Sequence, residues 1–162
     1  MKVTQGELRE ILNYDKETGR FTWIHPPKHH QGLIGKEAGV INSGYRKIKI
    51  NGKRYSAHVL AWIYTYGEKP TKCIDHINGI STDNRIENLR LASNSENQAN
   101  RARNKGKKIS KGVRVLPSGK YQARISFKSK LITIGTFDTE REAANAYLNR
   151  ATELYLQFAR AA

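Results

Sequence analysis

The chain of 162 residues has room for one ordinary domain or two small ones, and its formal charge of +15 far exceeds what solubility needs. That charge, with a sequence pI near 10.1, favours a polyanionic partner, nucleic acid ahead of an anionic membrane. A single cysteine, Cys73, excludes an internal disulfide and a Cys-rich zinc knuckle, and no long apolar run or signal-peptide pattern is present, so a soluble cytoplasmic protein without a membrane partner is expected.

Thr4 and Glu7 have capping-box spacing, and Leu8, Ile11 and Leu12 follow at helical intervals, which predicts a short amphipathic helix over residues 5–13. Residues 15–19 read as a turn into a strand at Phe21, Thr22 and Trp23. Pro26 and Pro27 open an irregular connector, with one short strand, that runs to Gly44. Its histidines, His25, His29 and His30, lack a second ligand set at fixed spacing and read as surface groups in a basic loop. Residues 45–50, the Asn51-Gly52 pair and residues 53–55 form a hairpin pattern. Arg46, Lys47, Lys49, Lys53 and Arg54 give that hairpin the charge to contact a phosphate backbone. Ser56 is then expected to cap a largely buried helix over residues 57–66, in which His58 is expected as a satisfied histidine in the core or behind a site.

The next stretch carries the chemistry. Cys73-Ile74-Asp75-His76 is a short strand ending in an acid and a histidine, followed by an Asn78-Gly79 turn, a second short strand near Leu89, and a helix start marked by Ser93 and Glu96. Neighbours on a strand point to opposite faces, so Asp75 and His76 hold different jobs. Folding the strands back and laying the first helical turn across them would bring the Asn97 amide oxygen beside the Asp75 carboxylate. Two hard oxygen ligands with open positions suit a magnesium-like ion that keeps waters and takes substrate phosphate. A neutral His76 can then accept a proton from water. Asn97, Asn100, Arg101 and Asn104 share one polar stripe of the helix, which places Arg101 to hold a substrate phosphate.

With Asp75-His76-Ile77-Asn78-Gly79, then Asn84-Arg85-Ile86-Glu87-Asn88-Leu89-Arg90, then Glu96-Asn97 in order, this part of the chain resembles the HNH, or ββα-metal, nucleases of phages and mobile introns. The resemblance implies one divalent ion, Mg²⁺ or alternatively Mn²⁺, held by Asp75 and Asn97, with His76 as general base. It places the family's central Asn at Asn88, in the second strand, where it would hold the histidine loop by hydrogen bonds.

Gly106 and the lysines around it break the helical pattern, and residues 105–110 read as a basic linker. Beyond it, three antiparallel strands and a helix capped by Thr139 and Glu142 are predicted. Strand alternation turns Val113, Val115, Tyr121, Ala123, Ile125, Phe127, Ile132 and Ile134 toward the helix, and leaves Arg114, Gln122, Arg124, Ser126 and Thr133 on the open face. Arg can read guanine and Gln adenine in a major groove. The segment resembles the Apetala-type (ethylene-response-factor) DNA-binding domain in Gly112-Val113-Arg114, in residues 118–125 and in residues 134–147. That resemblance implies DNA contacts by Arg114 and Arg124, backed by Lys120 and Gln122.

The expected architecture is therefore α+β: a ββα-metal HNH core in residues 1–104, the linker 105–110, and a three-stranded antiparallel sheet packed on one helix in residues 111–162. The expected function is a phage-type, homing-like endonuclease that acts as a monomer on double-stranded DNA without a small-molecule cofactor. The alternative is a non-catalytic DNA-binding regulator on a disabled HNH fold.

Overall fold

The first helix opens on a capping box: Glu7 N donates to the Thr4 hydroxyl at 3.3 Å, and Thr4 N donates back to the Glu7 carboxylate at 2.9 Å. This helix, α1, spans Gln5–Ile11 and stops short of residue 13 because Leu12 is already extended and starts a strand. That strand, β1 (Leu12–Asp15), pairs antiparallel with β2 (Arg20–Trp23), and alternation sends Leu12, Tyr14, Phe21 and Trp23 inward. The computed structural model describes residues 3–100, 109–128 and 130–158.

After a 3₁₀ turn at Lys28–Leu33, strands β3 (Val40–Asn42), β4 (Tyr45–Ile50) and β5 (Lys53–Ser56) form an antiparallel sheet in the order β3-β4-β5. Asn51 and Gly52 join β4 to β5 with both φ angles positive, as the two-residue loop requires. Helix α2 (Ala57–Tyr66) has the expected limits and ends on Gly67 in the left-handed region. Ser56 occupies its N-cap position without capping it, because its hydroxyl accepts instead from Lys47 Nζ at 2.7 Å. Leu8, Leu12, Phe21, Ile48 and Leu60 are fully buried at the centre of this unit. Each contributes on the order of 1.5–3 kcal/mol by leaving water.

Strand β6 (Cys73–His76) and strand β7 (Leu89–Ala92) pair with each other, joined by a loop with a 3₁₀ turn at Ile86–Asn88. Asn88 thus lies in the turn ahead of β7 rather than in the strand. Cys73, at the start of β6, is exposed.

The chain divides into two compact units, Met1–Leu91 and Ala92–Ala162. In the second, Ser93 and Glu96 build a capping box, with Ser93 N donating to Glu96 Oε2 at 2.6 Å, ahead of helix α3 (Asn94–Asn100). Strands β8 (Val113–Val115), β9 (Tyr121–Phe127) and β10 (Lys130–Phe137) form an antiparallel sheet in the order β10-β9-β8, followed by α4 (Glu140–Tyr155). Ala123 and Ile125 bury against Ala143, Tyr147, Ala151 and Tyr155, while Val115, expected inside, is 48% exposed. Gly112 has φ +75°, and a Cβ there would lie 2.0 Å from the Tyr147 ring, so the loop before β8 needs glycine on both counts.

The division after Leu91 falls ahead of the linker expected at 105–110, of which residues 105–108 lie outside the described residues. Ala92 and Ala99 are the physical reason: both are buried in the second core, so α3 is covered by that unit's own side chains.

Candidate active site

His76 ends β6 with its ring 7% exposed. Its Nε2 lies 3.3 Å from Asn84 Oδ1, and the Asn84 amide is oriented by a second bond, Nδ2 to the Thr82 carbonyl at 3.2 Å. An amide oxygen only accepts, so Nε2 carries the proton and the lone pair sits on Nδ1. Burial lowers the pKa of His76 against the opposing pull of Asn84 and the Asp75 charge, which keeps the ring neutral and able to accept a proton near pH 7.

The loop that follows is clamped by Asn88. Its Oδ1 accepts from Asn78 N at 3.0 Å, its Nδ2 donates to Asn78 Oδ1 at 3.0 Å and to the Asp83 carbonyl at 2.9 Å, and its own carbonyl accepts from Ile77 N at 2.9 Å. Asp83 extends the clamp, accepting from Asn78 Nδ2 at 2.7 Å and pairing with Arg85 at 2.8 Å. Hydrogen bonds from Arg85 are the main reason its pKa falls to about 2. Asn88 makes these bonds from the turn at Ile86–Asn88, ahead of β7.

Asn84 is itself supported by the first hairpin. The Tyr14 hydroxyl donates to the Asn84 carbonyl at 2.7 Å, and burial raises the pKa of that phenol to about 12. Gly19, at φ +69°, lets the β1–β2 turn press on the same loop, where a Cβ would meet Arg85 N at 2.4 Å. The N-terminal segment thus buttresses the group that fixes the His76 tautomer.

On another side His76 meets His58. Their rings lie edge to face at 5.1 Å, with Tyr45 at 5.6 Å from His58 and 6.2 Å from His76. Burial first, then the neighbouring His76 and Lys47 charges, lowers the His58 pKa to about 4. His58 is therefore a neutral wall of the His76 pocket.

Asp75 is 4% exposed and faces Arg90, whose Nε donates to Oδ2 at 2.9 Å and whose Nη2 lies 2.9 Å from the same oxygen. Sequence reasoning missed this partner, although an acid and an arginine on two paired strands are a readable cross-strand combination. A carboxylate offers about four lone-pair sites on its two oxygens, so the Arg90 contacts on Oδ2 are compatible with a hard cation on the same group. Among the described residues no three His, Cys, Asp or Glu side chains cluster around a common point.

The remaining expected residues lie in or after the second unit's first helix. Asn97 is in the first turns of α3, and its amide N donates to the Ser93 carbonyl at 2.9 Å. Arg101 lies outside the described residues. Across β8 and β9, Arg114 stands opposite Gln122 and donates from Nε to its Oε1 at 2.9 Å, and Arg124 stands opposite Thr133 on β10. Lys120 is exposed and pairs with Asp138 at 2.9 Å. The bulge in β10 between Thr133 and Gly135 resets the pairing so that Thr136 faces Gln122.

Comparison with known proteins singles out the same stretch. Residues 55–99 match the sequence profile of the HNH endonuclease family. The chain is also similar to an uncharacterised HNH endonuclease of Acanthamoeba polyphaga mimivirus, 30% identical over 118 residues that make up 72% of this chain and 62% of the relative. The chain thus spans under two thirds of that relative's length. No solved structure matches it significantly. No described helix is long and apolar enough to cross a membrane.

Proposed function

We propose that the chain is a metal-dependent DNA endonuclease of the HNH type, with His76 as general base, Asp75 and Asn97 as ligands of one divalent ion, and Asn88 as the residue that holds the histidine loop. The observation that carries this reading is the buried, neutral His76. Its Nε2 proton is fixed by Asn84 and its loop is clamped by four bonds to Asn88. Such over-determination of one imidazole is wasteful in a structural role and necessary for a base that must meet a water at one geometry.

His76 Nδ1 takes a proton from water as the water oxygen bonds to phosphorus, the bond from phosphorus to the 3′ oxygen breaks, and that oxygen takes a proton from solvent, leaving a 5′-phosphate and a 3′-hydroxyl. A bound Mg²⁺ or Mn²⁺ supplies charge stabilisation for the phosphate and the departing oxygen. Arg90 holds the Asp75 carboxylate in place, and Arg101 stabilises substrate phosphate. His58 and Tyr45 wall the imidazole from bulk water.

The net charge of +15 supports double-stranded DNA as substrate. The row of Arg114, Gln122 and Arg124 supports an Apetala-type reading of base edges by the C-terminal segment, and Lys120 adds phosphate affinity. The mimivirus relative supports a phage or viral origin, and homing-like action by a monomer inside a cell completes the reading.

Incubation with supercoiled plasmid in Mg²⁺, beside an EDTA control, tests it. Nicked or linear product with 5′-phosphate ends, abolished by EDTA, is the expected result. Intact plasmid with Mg²⁺ and with Mn²⁺, under conditions where the DNA is bound, would return the protein to a binding role.

A further inference from the structure

The β3-β4-β5 sheet has a second face that the nuclease reading does not use. Ile48 and Ile50 point into the core, so Tyr45, Lys47 and Lys49 point the other way. Register adds Val40 beside Lys47 and Arg54 beside Lys49 on that face. Tyr45 touches the His58 and His76 rings, and Lys47 Nζ lies 5.6 Å from the centre of the Tyr45 ring. From the candidate base outward, the face therefore steps through Tyr45, Lys47 and Lys49 at intervals of about 7 Å. That interval is comparable with the step between successive phosphates of a DNA strand.

The same face forms one wall of a cleft of about 590 Å³. Lys47, Lys49 and Arg54 line it from the sheet, while Pro27, Leu33 and Val40 make the apolar part. Val40 is 66% exposed, an open apolar surface beside three cations. The carboxylate at the cleft, Glu37, is occupied by Arg46 at 3.1 Å, so it does not cancel the lysines. A bare phosphate has no use for the apolar wall, and a purely apolar ligand has none for the cations. A nucleotide, with a phosphate beside a sugar and base, uses both.

We propose that this cleft is a DNA subsite for one nucleotide flanking the scissile phosphate. The strand leaves His76 along Tyr45, its phosphates rest on Lys47, Lys49 and Arg54, and the nucleoside packs on Pro27, Leu33 and Val40. The assignment rests on the nuclease reading for the direction of the strand, and its test can be read without cleavage.

The experiment measures the Kd of a 30-base-pair duplex in EDTA across a salt series for the full chain, for Lys49→Glu/Arg54→Glu, and for Val40→Asn, with circular dichroism melts as a check on folding. Lys49, Arg54 and Val40 are all exposed, so the fold tolerates the changes. The charge-reversed variant should bind about tenfold or more weakly, and the slope of log Kd against log salt should fall by about two, one for each lost phosphate. Val40→Asn should weaken binding severalfold at an unchanged slope. An unchanged slope in the charge-reversed variant overturns the subsite, and unchanged binding by Val40→Asn overturns the nucleoside contact. Loss of plasmid cleavage by the wild type with these binding effects intact would instead remove the nuclease reading and leave the cleft standing.

Discussion

The two units handle their polar residues in opposite ways. In the first, Asp75, His76, Asn84 and Asn88 are all at most 7% exposed and are bonded to named partners at 2.7–3.3 Å. In the second, the exposed Arg114 and Lys120 and the half-buried Gln122 lie along a sheet and its turn, Arg114 bonded to Gln122 and Lys120 paired with Asp138. A buried network fixes one geometry and loses much when any member is removed. An exposed row keeps its cations available to a polyanion, and each member contributes separately. Under the proposed function the first arrangement would carry the bond breaking and the second the contacts with DNA.

The largest break in that comparison should come from the imidazole. His76→Ala should leave the fold and DNA affinity in place, at some cost in thermal midpoint, while cleavage falls by about two to four orders of magnitude, the usual contribution of a general base. Single-turnover cleavage beside a binding titration checks it, and full activity in the variant would remove His76 from the mechanism.

Asn88→Ala should come next, because it strands the Asn78 amide and the Asp83 carbonyl. Each buried group left without a partner costs about 1–3 kcal/mol, so both the midpoint and the cleavage rate should fall, with DNA affinity retained. A variant with unchanged stability would mean that the clamp is not what holds the loop.

In the exposed row the effect should be smaller and specific to sequence. Arg124→Ala should cost roughly 1–3 kcal/mol at one base position if it bonds a guanine bidentately, and leave cleavage of saturating DNA intact. Binding to a selected target and to random duplex across a salt series separates the cases. Equal losses on both would reduce Arg124 to a phosphate contact.

A further effect concerns pH. His58 is neutral in the folded chain, with its pKa lowered from 6.5 to about 4, whereas the unfolded chain takes up a proton at the ordinary value. Between these values the unfolded state binds more protons, so stability is full above about 6.5 and is lost as pH falls toward 4. His58→Phe should flatten that part of the urea-unfolding profile while preserving the ring contact with Tyr45 and His76. An unaltered profile would place the acid sensitivity elsewhere.

How much of this was legible beforehand depends on the distance over which each signal acts. Thr4 with Glu7, Thr139 with Glu142, Ser93 with Glu96, Asn51-Gly52 and the limits of α2 are all set within four residues or so, by backbone angles and by side chains that reach their own turn. Those were readable, as was the order Asp75, His76, Asn88, Asn97. Ser56 shows where local reading fails, since its hydroxyl was taken by Lys47 from the facing strand.

The sequence by itself determined the caps, the hairpins, the alternating faces and the chemistry available to each strand end, because these follow from side-chain type and spacing along a short piece of backbone. Only the tertiary structure decided which groups meet. Arg90 on Asp75, His58 against His76, and Tyr14 reaching Asn84 across 70 residues follow from how the first core packs, and the cover over α3 follows from Ala92 and Ala99 burying in the second. No local preference encodes such pairings; they are fixed when two distant apolar faces leave water together, and the polar groups carried with them must then find partners where they land.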